Sequence, residues 1–98
     1  MLVENVMIKE LEEVLEYVDT EDPVALVVWN DEVNTFDWVI KSLVEICGHT
    51  HEQAEQSAMI IHYKGKYAVK KGSRKKLNPM REGLVDRGIG ATVESTSD

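Results

Sequence analysis

Apolar and polar positions along residues 24–94 follow two rhythms, one that suits strands and one that suits helices. Val24–Trp29 is an unbroken apolar run, VALVVW, between Pro23 and Asn30-Asp31, and it predicts a strand buried on at least one side. Phe36, Val39, Ile40, Leu43, Val44 and Cys47 then recur at helical spacing, with Asn34 or Thr35 available as the cap and Gly48 able to close the helix. Thr50 and Gln53 fit a capping box, and Ala54, Ala58 and Ile61 mark the inner face of a second helix that ends near His62. Tyr63-Lys64-Gly65-Lys66 reads as a turn into a short strand over 66–70. Ser73 can cap one turn through Leu77; Asn78-Pro79 then looks like a fresh cap, with the main helix over 79–87. A last strand is expected over 89–94, and 95–98 as a frayed tail. The order β-α-α-β-α-β predicts an α+β fold, three helices packed on one face of a three-stranded antiparallel sheet in a two-layer sandwich.

Before this domain lies a different kind of sequence. Residues 1–22 carry eight acids against Lys9 alone, a net of −7, which is the formal charge of the whole 98-residue chain. The first 23 residues therefore read as an acidic arm, although Met7, Leu11, Val14, Leu15 and Val18 are spaced to line one side of a helix. Seven of the eleven basic residues fall between Lys64 and Lys76, making one local patch on an otherwise balanced domain. A polyanion such as nucleic acid is a poor default partner for this balance. The single cysteine, Cys47, cannot form an internal disulfide, the start has no basic, apolar leader pattern, and no apolar run reaches membrane-spanning length. A cytoplasmic protein without a membrane segment is the expectation.

Candidate chemistry concentrates at the junction VVWNDEVNTF. Asn30, Asp31 and Glu32 follow a strand and precede a helix, where amides and carboxylates commonly serve as turn and cap residues. They equally present acceptors with no positive charge among them, which suits a cation, an amine in particular. His62 at the end of the second helix is either a helix C-terminal group or a further acceptor for an ammonium hydrogen. His49 and His51 invite a metal reading with Asp31 or Glu32, yet they sit in a capping segment and lack the tight spacing of zinc motifs. Ser42, Ser57 and Cys47 fall within helices with no evident base beside them, so neither an enzyme nor a cofactor site is expected.

Asn30-Asp31 followed by an acid, then His62-Tyr63-x-Gly65-Lys66, then Gly88-Ile89-x-Ala91-x-x-Glu94, together resemble the ClpS family of N-degron adaptors over residues 24–94. The resemblance implies a non-enzymatic, monomeric adaptor that binds proteins with a bulky apolar N-terminal residue (Leu, Phe, Tyr or Trp). It would deliver them to the N-domain of a ClpA- or ClpC-type AAA+ unfoldase. It assigns the N-terminal amine to Asn30, Asp31 and His62, with Glu32 as the further acid, and the apolar side chain to Phe36, Val39, Ile61 and Ile89. Glu32 stands where the family commonly has aspartate, and Phe36 where it has a methionine. The rivals are an interaction module of the same fold without N-degron recognition and a metal-dependent hydrolase built on His49 and His51.

Overall fold

The computed structural model describes residues 22–96, with β1 (Val24–Trp29), α1 (Phe36–Cys47), α2 (His51–Lys64), β2 (Lys66–Gly72), α3 (Arg74–Asp86) and β3 (Ala91–Ser95). The sheet is antiparallel in the order β2-β1-β3, which puts the first strand in the centre. Side chains alternate across a strand, and Val24, Leu26 and Val28 share one core cluster with Ile40 and Leu43 of α1, Ala58 and Ile61 of α2, and Leu77 and Leu84 of α3. The helices therefore cover one face of the sheet, giving the two-layer α+β fold expected from the chain order.

Local chemistry sets the helix ends. Thr35, rather than Asn34, caps α1 by accepting from the Trp38 amide at 3.1 Å, and Gly48 closes it in the left-handed region. Thr50 and Gln53 form a reciprocal capping box at the start of α2. Between Leu26 and Val27 the pairing with β2 shifts register and leaves Val69 without an opposite residue. Its carbonyl instead accepts a hydrogen bond from Nε2 of His49 at 3.1 Å.

Four elements differ in their bounds from the sequence expectation, α2 first: it continues through Tyr63 and Lys64, expected as part of the turn, before Gly65 closes it. The helix expected to restart at Asn78-Pro79 is one element: Ser73 caps it through the Lys76 amide at 3.1 Å, and Pro79 lies inside. Proline removes one backbone donor from the helix, yet the helix is continuous through it, with Leu77 before and Leu84 after both fully enclosed. Strand β2 continues to Gly72, and β3 begins at Ala91 rather than Ile89 and takes in Ser95. Ile89 is withheld from the strand because its amide donates to the Leu84 carbonyl at 3.0 Å, closing α3. Thr96 of the expected tail donates to the Pro23 carbonyl at 2.9 Å. The helical reading of the acidic arm and the final residues 97–98 lie outside the described residues.

Candidate functional site

The far end of β1 is held from both sides. The Trp29 amide donates to the Gly90 carbonyl at 2.9 Å, and the Asn30 amide donates to the Gly65 carbonyl at 2.8 Å. Gly65 ends α2, so this second bond brings the last turn of that helix, with Ile61 and His62, against the residue where β1 stops. Chain direction then reverses within Asp31-Glu32-Val33-Asn34 before α1 begins.

Asp31 organises that reversal. Its Oδ1 accepts from the amides of Val33 at 2.8 Å and Asn34 at 2.7 Å, while Oδ2 accepts from the Asn34 side-chain amide at 2.7 Å. The Asn34 amide hydrogen bonds, headed by the backbone one, hold the Asp31 carboxyl below its usual range. A carboxylate has about four lone-pair positions, and three are filled by its own loop, leaving one on Oδ2.

Asn34 is the link to the rest of the molecule. The same side-chain nitrogen also donates to the Gly88 carbonyl at 2.8 Å, tying the β1–α1 loop to the α3–β3 loop. Arg87, just before Gly88, is anchored on α1: it donates to Glu45 at 2.7 Å, lies over the Trp38 ring at 5.3 Å, and its carbonyl accepts from the Trp38 indole at 3.0 Å. The Arg87 hydrogen bond in turn lowers the Glu45 carboxyl pKa. Two loops distant in sequence thus form one rim.

Inside this rim lies a cleft of about 390 Å³, lined by Asn30, Asp31, Glu32, Asn34, Thr35, Phe36, Val39, Ala58, Ile61 and His62. Its floor is the outer surface of the core, where Ala58 and Ile61 are buried; its lip is Phe36, 40% exposed. The Phe36 and His62 rings meet edge to face at 5.9 Å, with Tyr63 edge-on to His62 beyond at 5.5 Å. Among the described residues the side chains of Asn30, Glu32 and His62 have no hydrogen-bond partner. The lining contains no lysine or arginine, so one end offers acceptors to a positively charged donor and the other offers apolar surface.

Of the eight positions singled out in the sequence, seven line this cleft. Ile89 does not: it is 2% exposed and belongs to the core cluster, because the bond closing α3 folds its side chain inward. His49 and His51 are apart from the cleft; His49 is held at the β2 bulge, where burial lowers its pKa, and exposed His51 lies 3.7 Å from Glu55. No group of three or more His, Cys, Asp or Glu side chains converges among the described residues. Ser42 is buried at 3.4 Å from Arg87, and burial pushes the Cys47 thiol pKa up.

A scan of protein families matches residues 19–89 to the family described as ATP-dependent Clp protease adaptor protein ClpS. The chain belongs to the ClpS family. Curated ClpS adapter proteins from Rhodococcus opacus and Nocardia farcinica are 33% and 31% identical over 86 residues, covering 87% of this chain and 77% and 81% of theirs. A solved structure, Agrobacterium tumefaciens ClpS2 bound to L-phenylalaninamide, superposes with a TM-score of 0.64 at 16% identity, covering 74% of this chain and 95% of that one. The ClpS fold is therefore present in full outline, and the role that goes with the family is that of an adaptor of the ATP-dependent Clp protease. No helix among the described residues is long and apolar enough to cross a membrane.

Three residues of the ClpS cleft escaped sequence reasoning. Thr35 was a candidate cap only; Ala58 was read as a core residue although its other side is cleft floor; and Asn34 gave no sign of its reach across to Gly88. The signal for Ala58 existed in its spacing from Ile61, one turn apart on the same helix face.

Proposed function

We propose that the cleft receives the first residue of another polypeptide, its free α-ammonium at the Asn30, Asp31, Glu32 and His62 end and a bulky apolar side chain against Phe36, Val39, Ala58 and Ile61. The chain would then hand that polypeptide to a ClpA- or ClpC-type AAA+ unfoldase. The observation that carries this reading is the single continuous cleft joining an acceptor-rich rim without cations to an apolar floor. An α-amine has a pKa of about 7.7–8.0, so near neutrality it is largely charged and brings three donors. Asn30 Oδ1, an acceptor nitrogen of His62 and the remaining Oδ2 position of Asp31 match them in number. Glu32 supplies long-range attraction. An internal peptide nitrogen has no such charge, so the selection is for a terminus.

Side-chain preference follows from the floor. Burying a leucine or phenylalanine side chain is worth about 1.5–3 kcal/mol, which favours Leu, Phe, Tyr and Trp over Ala or Gly. The ligand named for the ClpS2 neighbour, L-phenylalaninamide, combines a free amine with a benzyl group. The reading is tested by titrating fluorescent peptides that begin with free Phe, free Leu, free Ala and acetyl-Phe. Binding of the first two at least tenfold tighter than the last two is expected; equal affinities would leave an interaction module of this fold with no N-degron recognition.

A further inference from the structure

The most strongly charged surface outside the cleft is basic. Strand β2, on one edge of the sheet, ends in exposed Lys71 beside the half-buried Gly72, and the first turn of α3 follows with Arg74, Lys75 and Lys76, all exposed. Two other cations of the run are already engaged: Lys66 lies 4.7 Å over the Trp29 ring, and Lys70 donates to the Cys47 carbonyl at 2.8 Å. Lys71, Arg74 and Lys76 have no carboxylate partner among the described residues, whose ion pairs lie elsewhere. The first turn of α3 has no acid, so Arg74 and Lys76 sit at the positive end of the helix dipole with no carboxylate beside them in that turn. Among the described residues, nothing neutralises Lys71, Arg74 or Lys76.

The register of the sheet shows what is delivered to it. Val24 pairs with Gly72 and Ala25 with Lys71, so the chain enters β1 directly beside the strand-to-helix corner that carries the cations. The Thr96 hydroxyl bonded to the Pro23 carbonyl fixes that entry. Immediately upstream are Asp22, Glu21 and Asp19, and residues 1–22 together carry the net −7. At about 3.3–3.6 Å per extended residue, even Asp19, five residues before Val24, is tethered within roughly 18 Å of the start of β1. A tether this short gives an effective concentration on the order of millimolar.

We infer that the acidic segment, residues 1–22, docks on this basic corner of its own domain, its carboxylates set against Lys71, Arg74 and Lys76. Residues 23–98 carry ten acids and ten bases, so the corner is a local excess on a domain that is neutral as a whole. A partner that takes the segment away must therefore offer competing basic groups, and one that takes the corner must be anionic. The docking goes beyond the amine-binding reading and does not depend on it.

A nitroxide attached to Asn5→Cys in the full chain tests this, because Asn5 is far along the sequence from β1 and the native Cys47 is buried against labelling. In about 10 mM salt, where charges act over ~30 Å, amide signals of residues 70–77 should broaden selectively. In about 1 M salt, where the range is ~3 Å, the broadening should vanish. It should also vanish in Lys71→Glu/Arg74→Glu/Lys76→Glu and return when Glu10, Glu12, Glu13 and Glu16 are changed to lysine in that background. Broadening that ignores salt, or that falls elsewhere on the domain, overturns the inference. So does broadening that appears only between labelled and unlabelled copies, which would make a second chain the occupant.

Discussion

Asp31→Asn separates the loop role that the carboxylate has at the rim from the amine contact proposed for it. The substitution is isosteric and leaves Oδ1 in place for the amides of Val33 and Asn34. It replaces Oδ2 by an NH2 group that faces the side-chain NH2 of Asn34 across 2.7 Å. Two donors cannot bond, so Asn34 either loses that partner or flips its amide and gives up the Gly88 carbonyl at 2.8 Å. One link is lost in either case, about 1 kcal/mol, and the surviving pair changes from charged to neutral bonds, which removes a similar amount at this exposed position. The expected loss of stability is therefore about 2 kcal/mol, or roughly 8–16 °C in Tm for a domain of this size. Affinity for a peptide beginning with free Phe should fall at least tenfold, about 1.4 kcal/mol, because the Oδ2 position left for the ammonium has become a donor. Urea unfolding and fluorescence anisotropy on the same protein measure the two effects. An unchanged unfolding midpoint would refute the loop role, and a stability loss with unchanged affinity would refute the amine contact.

Ala58→Val adds volume to the cleft floor, so peptides starting with Trp or Phe should lose about 1–3 kcal/mol of affinity and Leu peptides less, as read by the same anisotropy titration. Gly88 has a φ of 81° with open space where a Cβ would stand; Gly88→Ala should cost about 1–2 kcal/mol from backbone conformation alone, measured by urea denaturation. His49 has its pKa lowered by burial from 6.5. The unfolded chain therefore binds its proton first: the histidine's contribution is complete above that pH and is lost as pH falls towards the folded value. Stability profiles against pH should accordingly be flatter below 6.5 in His49→Gln than in the parent chain.

Elements whose ends are set by neighbouring residues could be read directly. The α1 helix follows from its apolar spacing, Thr35 and Gly48, and α2 from the Thr50 and Gln53 box, because each signal acts within one turn. The α3 helix was harder because a local signal opposes a distant one: Asn78-Pro79 looks like a start, whereas enclosure of Leu77 and Leu84 demands one continuous helix. The same division holds at the site. Asn30, Asp31, Glu32 and His62 stood out by residue type at element ends, and Phe36, Val39 and Ile61 by their spacing and the family resemblance; all line one cleft. Asn34 did not stand out, since its second bond is to a carbonyl 54 residues away, and a backbone carbonyl has no sequence signature. Ile89 kept the spacing of a strand residue, but the turn that ends α3 carries it into the core.

The bond from Asn34 to the Gly88 carbonyl also bears on synthesis. Residues 30–36, which shape the acceptor end of the cleft, emerge from the ribosome well before their fastening point does. The centre of the sheet waits equally, since β1 needs β3 on its second edge. Contacts this distant form late in folding. A growing chain halted before residue 88 would have the acids and the histidine in its sequence but no fastened mouth to present, so the proposed capture of a polypeptide would have to follow completion of the fold.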